Sequence, residues 1–525
     1  MKSIKYIFLA PLLIIFLGSC KKDLLETIPN DRISTEIYWK TESDFRLATN
    51  AIYADMDGVW NFVHWDAMSD IGHVTLQWRD ESLIEKGSFD AANARVLSQW
   101  SGAYTGIQAA NIFLDEIGQN KTIAKPVSEE LQGEVRVLRA YFYMGLAALY
   151  GDVPLDTTEI TLEESRNLTR TPVAEIWDFI SRELTESAVL LPTTQTDKGR
   201  ITKGAALALD ARAMLYAGRY SDAADAAQAV MDLHVYSLYP SYKNLFSYAA
   251  ENNQEVILDR EYIKDVESNN IFALTTPNSI WPQINSFVAT KQAVDAYQMN
   301  NGKDITDPTS GFNPREPYIN RDPRLRYSII TIGDTLLNGA IYDSRPFSGT
   351  ADAIGFSENT TATGFNVNKY LNKEDLAQPA NCGINIILLR YAEVLLTYAE
   401  AKIEENQIDQ SVVDAINEVR QRPDVNMPPI TLNHTQEELR EIVRRERLVE
   451  LAFEGLRYFD IRRWKIAENV IPGIVYGMTY VDQNGELQTI STGFLKVFNK
   501  NRDYLWPIPS TEIQLDPHLT QNPNW

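Results

Sequence analysis

The chain has 525 residues, with 49 Lys+Arg against 71 Asp+Glu, a formal net charge of −22 and a pI near 4.8. Hydrophobic content of 44%, charged content of 23% and ordinary Gly and Pro numbers exclude wholesale disorder and collagen-like or low-complexity classes. The length allows roughly three domains or one large elongated one. The acidity argues against a phosphate-tracking nucleic-acid binder, and five His with two Cys leave little for a zinc or redox site.

In chain order, Lys2 and Lys5 precede an apolar run from Ile7 to Leu17 that is too short to span a bilayer and reads as a signal-peptide core. It ends in Leu17-Gly18-Ser19-Cys20, two small residues before a cysteine, which resembles a bacterial lipoprotein box. On that reading 1–19 is a signal peptide, Cys20 is the lipidated mature N-terminus and 20–32 is a polar tether. The alternative is a plain secretory signal with an incidental cysteine. Cys382 is the only other cysteine, so acylation of Cys20 leaves no intrachain disulfide.

The next stretch, 56–90, mixes Trp, Asp, Gly and His without a helical period. Between Glu134 and Tyr150 the apolar Val135, Leu138, Tyr141, Phe142, Leu146 and Leu149 recur at three and four, and Gly151-Asp152-Val153-Pro154 stops that helix. Pro172 opens another helix, running to Leu191. From Lys203 to Leu233 two Ala-rich runs meet at Gly218-Arg219-Tyr220, with Ala211, Ala223 and Ala227 small enough for close approach, the tetratricopeptide (TPR) pattern. A second pair is expected at Ile384–Glu405 and Asp409–Gln421. The fold class is therefore mainly α, a TPR-like α-α superhelix, with an irregular all-α bundle as the alternative. Residues 278–382, rich in Pro, Gly, Asn and Thr clusters, form a long loop-rich region of the kind that is usually functional or disordered, and its aromatic content favours function. The division expected is 33–240 with helix pairs, 241–382 as a loop-rich insert and 383–525 as a C-terminal helical part.

Enzyme signatures are mostly absent: there is no His-Glu-x-x-His, Gly-x-Ser-x-Gly or Gly-x-Gly-x-x-Gly, and Gly199 and Gly204 have phosphate-loop spacing with Ala205 where lysine must be. His64 and His73, near Asp66 and Asp70, lack regular ligand spacing, so neither metal nor cofactor is expected. Glu446 and Glu450 share a helix face, and a glycosidase needs only two carboxylates. Arg444, Arg445, Arg447 and Arg457 crowd them, and guanidiniums lower the carboxyl pKa that a general acid needs raised. These glutamates and Glu454 read as a structural ion-pair network.

The stronger signal is aromatic. Trp60, Trp65 and Trp78 are interleaved with Asn61, His64, Asp66, Asp70, Gln77, Arg79 and Asp80, and Trp281 with Asn285 repeats the theme. A flat indole packs against the C–H face of a sugar ring while polar neighbours bond its hydroxyls. The candidate ligand set is Trp60, Trp65, Asp70, Trp78, Arg79, Trp281 and Asn285, with the loop from Tyr342 to Asn368 as the second location. The competing reading makes these tryptophans loop anchors in the core.

Several passages resemble the SusD/RagB family of nutrient-binding outer-membrane lipoproteins of Bacteroidetes. They are the box at Cys20, Arg139-Ala140-Tyr141-Phe142 through Pro154-Leu155, Tyr216-Ala217-Gly218-Arg219-Tyr220 and Arg390-Tyr391-Ala392-Glu393 through Ala401. The segment from Glu446-Arg447 through Phe453-Glu454-Gly455 to Arg463-Trp464 follows, and then Trp506-Pro507-Ile508-Pro509 with Gln521-Asn522-Pro523-Asn524-Trp525. The resemblance implies a TPR-like scaffold and a non-catalytic cell-surface protein that captures oligosaccharide or another nutrient. It implies delivery to a SusC-like TonB-dependent outer-membrane transporter, with anchoring to the outer membrane through Cys20; a TPR-like structural subunit that binds only its transporter and a glycan-cleaving enzyme are the alternatives. It also implies that Asp70 and the Trp78-Arg79 pair lie where such proteins often place sugar contacts. Lys21-Lys22-Asp23 departs from the pattern in being less acidic than many surface-export signals of the group.

Overall fold

The computed structural model describes residues 38–525 apart from Ile284; the expected signal peptide and Cys20 lie outside the described residues. The scaffold begins with α1 (Glu42–Ala54), capped by a reciprocal Thr41–Asp44 box, and α2 (Val59–Ala67). The strand β1 (Gly72–Val74) and the short α3 (Asp80–Glu85) precede two helices of 26 residues each, α4 (Ala94–Gln119) and α5 (Lys125–Tyr150). α5 starts more than two turns before the helix expected at 134–150 and ends where Gly151 takes φ +74°. α6 (Val173–Leu190), α7 (Lys203–Tyr216) and α8 (Tyr220–Met231) follow. α4 packs on α5, α5 on α6, α6 on α7 and α7 on α8, the succession of helix pairs that makes the architecture TPR-like. The α7–α8 approach is close because Ala211, Ala223 and Ala227 are small and buried, with Gly218 at φ +72° in the connection.

The stretch 56–90 is not irregular throughout. α2 is buried on almost every side, at Val59 and from Phe62 to Ala67, and with His64 and Asp66 buried among its apolar residues it shows no clean amphipathic period. The second expected pair also needs correction at its start. Residues 386–390 form a strand, which pairs antiparallel with β2 (Val256–Arg260). Four consecutive apolar residues, Ile386 to Leu389, cannot be told from a buried helix by period alone, and the partner strand decides.

The loop-rich region carries only short elements: α9 (Ile271–Thr275), β3 (Phe287–Ala289), α10 (Lys291–Ala296), α11 (Arg324–Ser328), β4 (Ile329–Ile330) and β5 (Asn366–Val367). β1 pairs with β3 and β4 with β5, both antiparallel. Then come β6 (Ile386–Arg390), α12 (Tyr391–Glu404), α13 (Gln410–Arg420), α14 (Gln436–Glu450), α15 (Arg457–Arg463), α16 (Ala467–Val470), the hairpin β7 (Gly473–Val481)–β8 (Leu487–Lys496) and α17 (Ser510–Leu515). α12 packs against α8, α7, α13 and α14, so the C-terminal helices continue the stack. One hydrophobic core runs through the helix pairs, and a second lies under the loops, between α2, β3, β6 and Phe453.

A buried ion network joins these parts. Glu450 accepts from Arg324, Arg390 and Arg422 at 2.9, 2.7 and 2.9 Å, Glu446 from Arg324 and Arg420 at 2.6 Å each, and Glu454 from Arg390 and Lys369 at 2.7 and 2.6 Å. Burial alone would raise the Glu450 carboxyl, but Arg422, Arg390 and Arg324 outweigh it and hold it well below its ordinary value. The network is structural, as expected, yet its arginines are distant in sequence. The nearby Arg444, Arg445, Arg447 and Arg457 pair instead with Glu404, Asp304, Asp460 and Asp70.

Candidate functional site

Trp60 and His64 stand one turn apart on α2, and their rings stack at 4.1 Å with an interplanar angle of 26°. The His64 Nδ1–H donates to the Trp60 carbonyl at 2.7 Å, and the Trp60 Nε1–H donates to buried Glu81 on α3 at 2.9 Å. Burial pushes the His64 imidazole down to about 4 against the opposing pull of Glu81, so the ring is neutral at pH 7. Arg79, the N-cap residue of α3, places its guanidinium carbon 4.4 Å from the Trp60 ring and 4.3 Å from the Trp78 ring. The result is a column of four layers: His64, Trp60, Arg79, Trp78. Its outermost ring, Trp78, is 72% exposed, and the Arg79 Nε–H beneath it has no hydrogen-bond partner among the described residues. An indole held flat by a guanidinium on one face and open on the other is a platform on which an apolar ring face can stack.

The β1–β3 register brings the second tryptophan segment alongside. Gly72, His73 and Val74 pair with Ala289, Val288 and Phe287, and the ladder continues with Thr75 N–H donating to the Ser286 carbonyl at 3.3 Å. The loops bearing Trp78 and Trp281 therefore leave the same end of this strand pair. The loop after Tyr342 closes on them: Asn278 donates to the Ala351 carbonyl at 2.7 Å and Ser279 N–H to Asp352 at 2.8 Å. Trp281 is half-buried there, and Phe356 on the same loop cluster is 61% exposed.

The structure thus separates the seven candidates. Trp60, Trp78 and Arg79 form one column, and Trp281 lies on the neighbouring loop. Trp65, Asp70 and Asn285 are corrections. The Trp65 ring is 4% exposed and packs 5.6 Å from Trp506 and Tyr458 and 5.0 Å from Phe459 in the helical core. Asp70 is buried in a two-pronged pair with Arg457 at 2.9 and 2.8 Å, so its carboxylate is turned to the protein and shielded from a ligand at the surface. Asn285 is buried and its amide donates to Asn366, whose own amide donates to the Tyr342 hydroxyl at 2.8 Å. Phe356 escaped sequence reading because a lone Phe in a polar loop carries no period. A narrow cleft of about 140 Å³ between α4, α5 and the 454–459 turn, bordered by Trp65 and Tyr141, is smaller than the roughly 300–1,000 Å³ of small-molecule sites.

No metal centre forms among the described residues. His73 pairs with Glu85 at 3.1 Å, His64 is committed to its own column, and no group of three His, Cys, Asp or Glu could hold an ion.

A TPR-like helical scaffold with an aromatic surface carried on loops at one end of a short strand pair defines the class. The chain belongs to the SusD family, whose model matches residues 254–525. A second model, described as "Starch-binding associating with outer membrane", matches residues 33–215. The chain is 26% identical to SusD-like protein P2 of Formosa agariphila over 99% of both chains, and 23% identical to a SusD-like protein of Bacteroides ovatus over 88% of this chain and 83% of the other. Among solved structures, a SusD-like carbohydrate-binding protein from Bacteroides fragilis superposes with a TM-score of 0.84 at 29% identity, covering 92% of this chain and 99% of the other. A laminarin-binding SusD-like protein shares the fold, with a TM-score of 0.72 at 21% identity over 93% of this chain and 100% of the other.

Proposed function

We propose that this chain is a lipid-anchored glycan-binding protein of the outer membrane that captures an oligosaccharide and passes it, with no bond broken, to a SusC-like TonB-dependent transporter. The observation that carries the reading is the exposed Trp78 face, held by Arg79 and Trp60. A pyranose stacks its C–H face on that indole, the N–H groups of Arg79 donate to hydroxyls, and Trp281 forms a second wall. Carbohydrate binding by the Bacteroides fragilis relative and laminarin binding by another SusD-like protein support the ligand class. Anchoring through Cys20 and surface exposure rest on the small-small-Cys pattern and the family.

The absence of bond cleavage in this reading is supported by the state of the carboxylate pair that a glycosidase would need. Glu446 and Glu450 are buried and engaged by arginines, and the arginines hold the Glu450 carboxyl below its ordinary value, the reverse of the raised general acid that glycoside hydrolysis requires. Affinity electrophoresis of the mature protein through gels containing laminarin or starch, with a parallel assay for released reducing ends, tests both halves. Retardation without release is expected. Release of reducing ends makes the protein an enzyme, and passage unretarded by these and by a wider glycan panel leaves only a transporter-binding scaffold.

A further inference from the structure

On the far side of the Tyr216–Phe459 stack lies a cleft of about 570 Å³, the size of a site for a single sugar or comparable small molecule. Its floor is apolar, from Ala147, Ala148, Val173 and Trp177. Its rim is cationic in a chain whose net charge is −22. Among the described residues four basic side chains line it, Arg170, Arg462, Arg463 and Lys465, against one carboxylate, Asp152. Arg463 is neutralised by Glu400 and Asp460, at 2.5 and 2.8 Å.

The other three retain their charge. Arg170 donates to the carbonyls of Asp152 and Thr520 at 2.7 and 2.9 Å, and Arg462 to the Asp503 carbonyl at 2.6 Å and to the Tyr458 hydroxyl at 3.1 Å. Neutral acceptors satisfy hydrogen bonds without cancelling charge, and although Asp152 lies near Arg170 and Glu468 near Lys465, no carboxylate among the described residues forms an ion pair with Arg170, Arg462 or Lys465. The Arg462 Nε–H and the Tyr504 hydroxyl, on two residues of the lining, have no hydrogen-bond partner among the described residues. Lys465 hangs over the Tyr504 ring, its ammonium 4.3 Å from the centroid. Asp152 accepts the Val173 N–H at the start of α6 and keeps its negative charge near Arg170, so the lining sets one carboxylate against three cations.

We propose that this cleft is a binding site for a small ligand bearing an anionic oxygen group, a carboxylate, sulfate or phosphate, distinct from the Trp78 platform. The anion sits among Arg170, Arg462 and Lys465, and the aromatic and aliphatic floor accepts the carbon frame that carries it.

Isothermal titration of the mature protein at low salt with sodium sulfate, sodium phosphate, glucuronate and glucose tests this. The anions bind and glucose does not; glucuronate above sulfate identifies an acidic sugar, and the reverse order identifies a free inorganic anion. Lys465→Gln weakens the preferred anion at least fivefold and Lys465→Arg restores it, and Lys465 is exposed enough that neither change threatens the fold. Trp78→Ala leaves anion binding unchanged, which separates this site from the glycan platform. No binding of any anion, or equal affinity in wild type and Lys465→Gln, overturns the proposal.

Discussion

Trp65 and Trp78 belong to one stretch of sequence and have opposite fates. Trp65 sits on a helix that is buried nearly all round, and its Nε1–H reaches the Asp57 carboxylate at 3.4 Å. Trp65→Ala is therefore expected to lower stability by about 3–5 kcal/mol, read by chemical denaturation, with no direct effect on ligand binding. His64 gives a second test at this scale. Its folded value of about 4 lies below the ordinary 6.5, so between these values the unfolded chain binds the proton that the folded one excludes. The groups facing it are the Trp60 carbonyl on its own helix, Glu81 and Arg79 from α3 and its cap, and Arg95 from α4. The stability advantage of wild type over His64→Gln is thus fully present above pH 6.5 and falls, on the order of 2–3 kcal/mol, as pH drops towards 4. An advantage independent of pH over that window contradicts the assignment. Residue types pointed to an aromatic cluster but not to which rings face outward. That depends on partners from other elements: Glu81 on α3 for Trp60, Asn366 on β5 for Asn285 and Arg457 on α15 for Asp70. Nothing in the local sequence marks any of the three pairings.

At the scale of elements, period and punctuation carried most of the scaffold. The helix ending at Tyr150, the turn at Gly218 and the helix after Pro172 were all legible, because amphipathic spacing, Gly at positive φ and Pro at a helix start each act locally. α2 and β6 were not, because both are buried on several sides and full burial erases the period. Close packing of α4 on α5 makes a paired prediction. A Cβ at Gly106 would meet the Phe142 ring at 2.4 Å, whereas one at Gly102, a turn earlier on the same helix, would meet nothing within 4 Å. Gly106→Ala is expected to destabilise by about 1–3 kcal/mol through overpacking. Gly102→Ala is expected to stabilise by up to about 1 kcal/mol through helix propensity. Thermal melts of the two variants should move in opposite directions, and a shared direction contradicts so close an approach of the two helices.

For the whole molecule, the C-terminal segment ties the loop-rich region to the helix pairs. Glu450 on α14 is shared by Arg324 beside the loops, Arg390 at the β6–α12 junction and Arg422 after α13. Glu450→Gln leaves three guanidiniums short of their common carboxylate and is expected to cost about 3–5 kcal/mol in chemical denaturation. Carbohydrate affinity should stay nearly unchanged, because no residue of the network belongs to the Trp78 column. The identity of the arginines could not be read from sequence, since partners 26 to 126 residues away leave no local pattern.

In the proposed function an exposed indole, held by Arg79 and Trp60, captures a glycan. Calorimetric titration of wild type, Trp78→Ala and Glu450→Gln with the oligosaccharide that best retards the mature protein tests it most directly. One stacked aromatic is worth about 1–2 kcal/mol, so Trp78→Ala should weaken binding about five- to thirtyfold with an unchanged helical circular dichroism spectrum, while Glu450→Gln binds like wild type. Equal affinity in Trp78→Ala and wild type would contradict the claim and move the site to the loop from Tyr342 to Asn368.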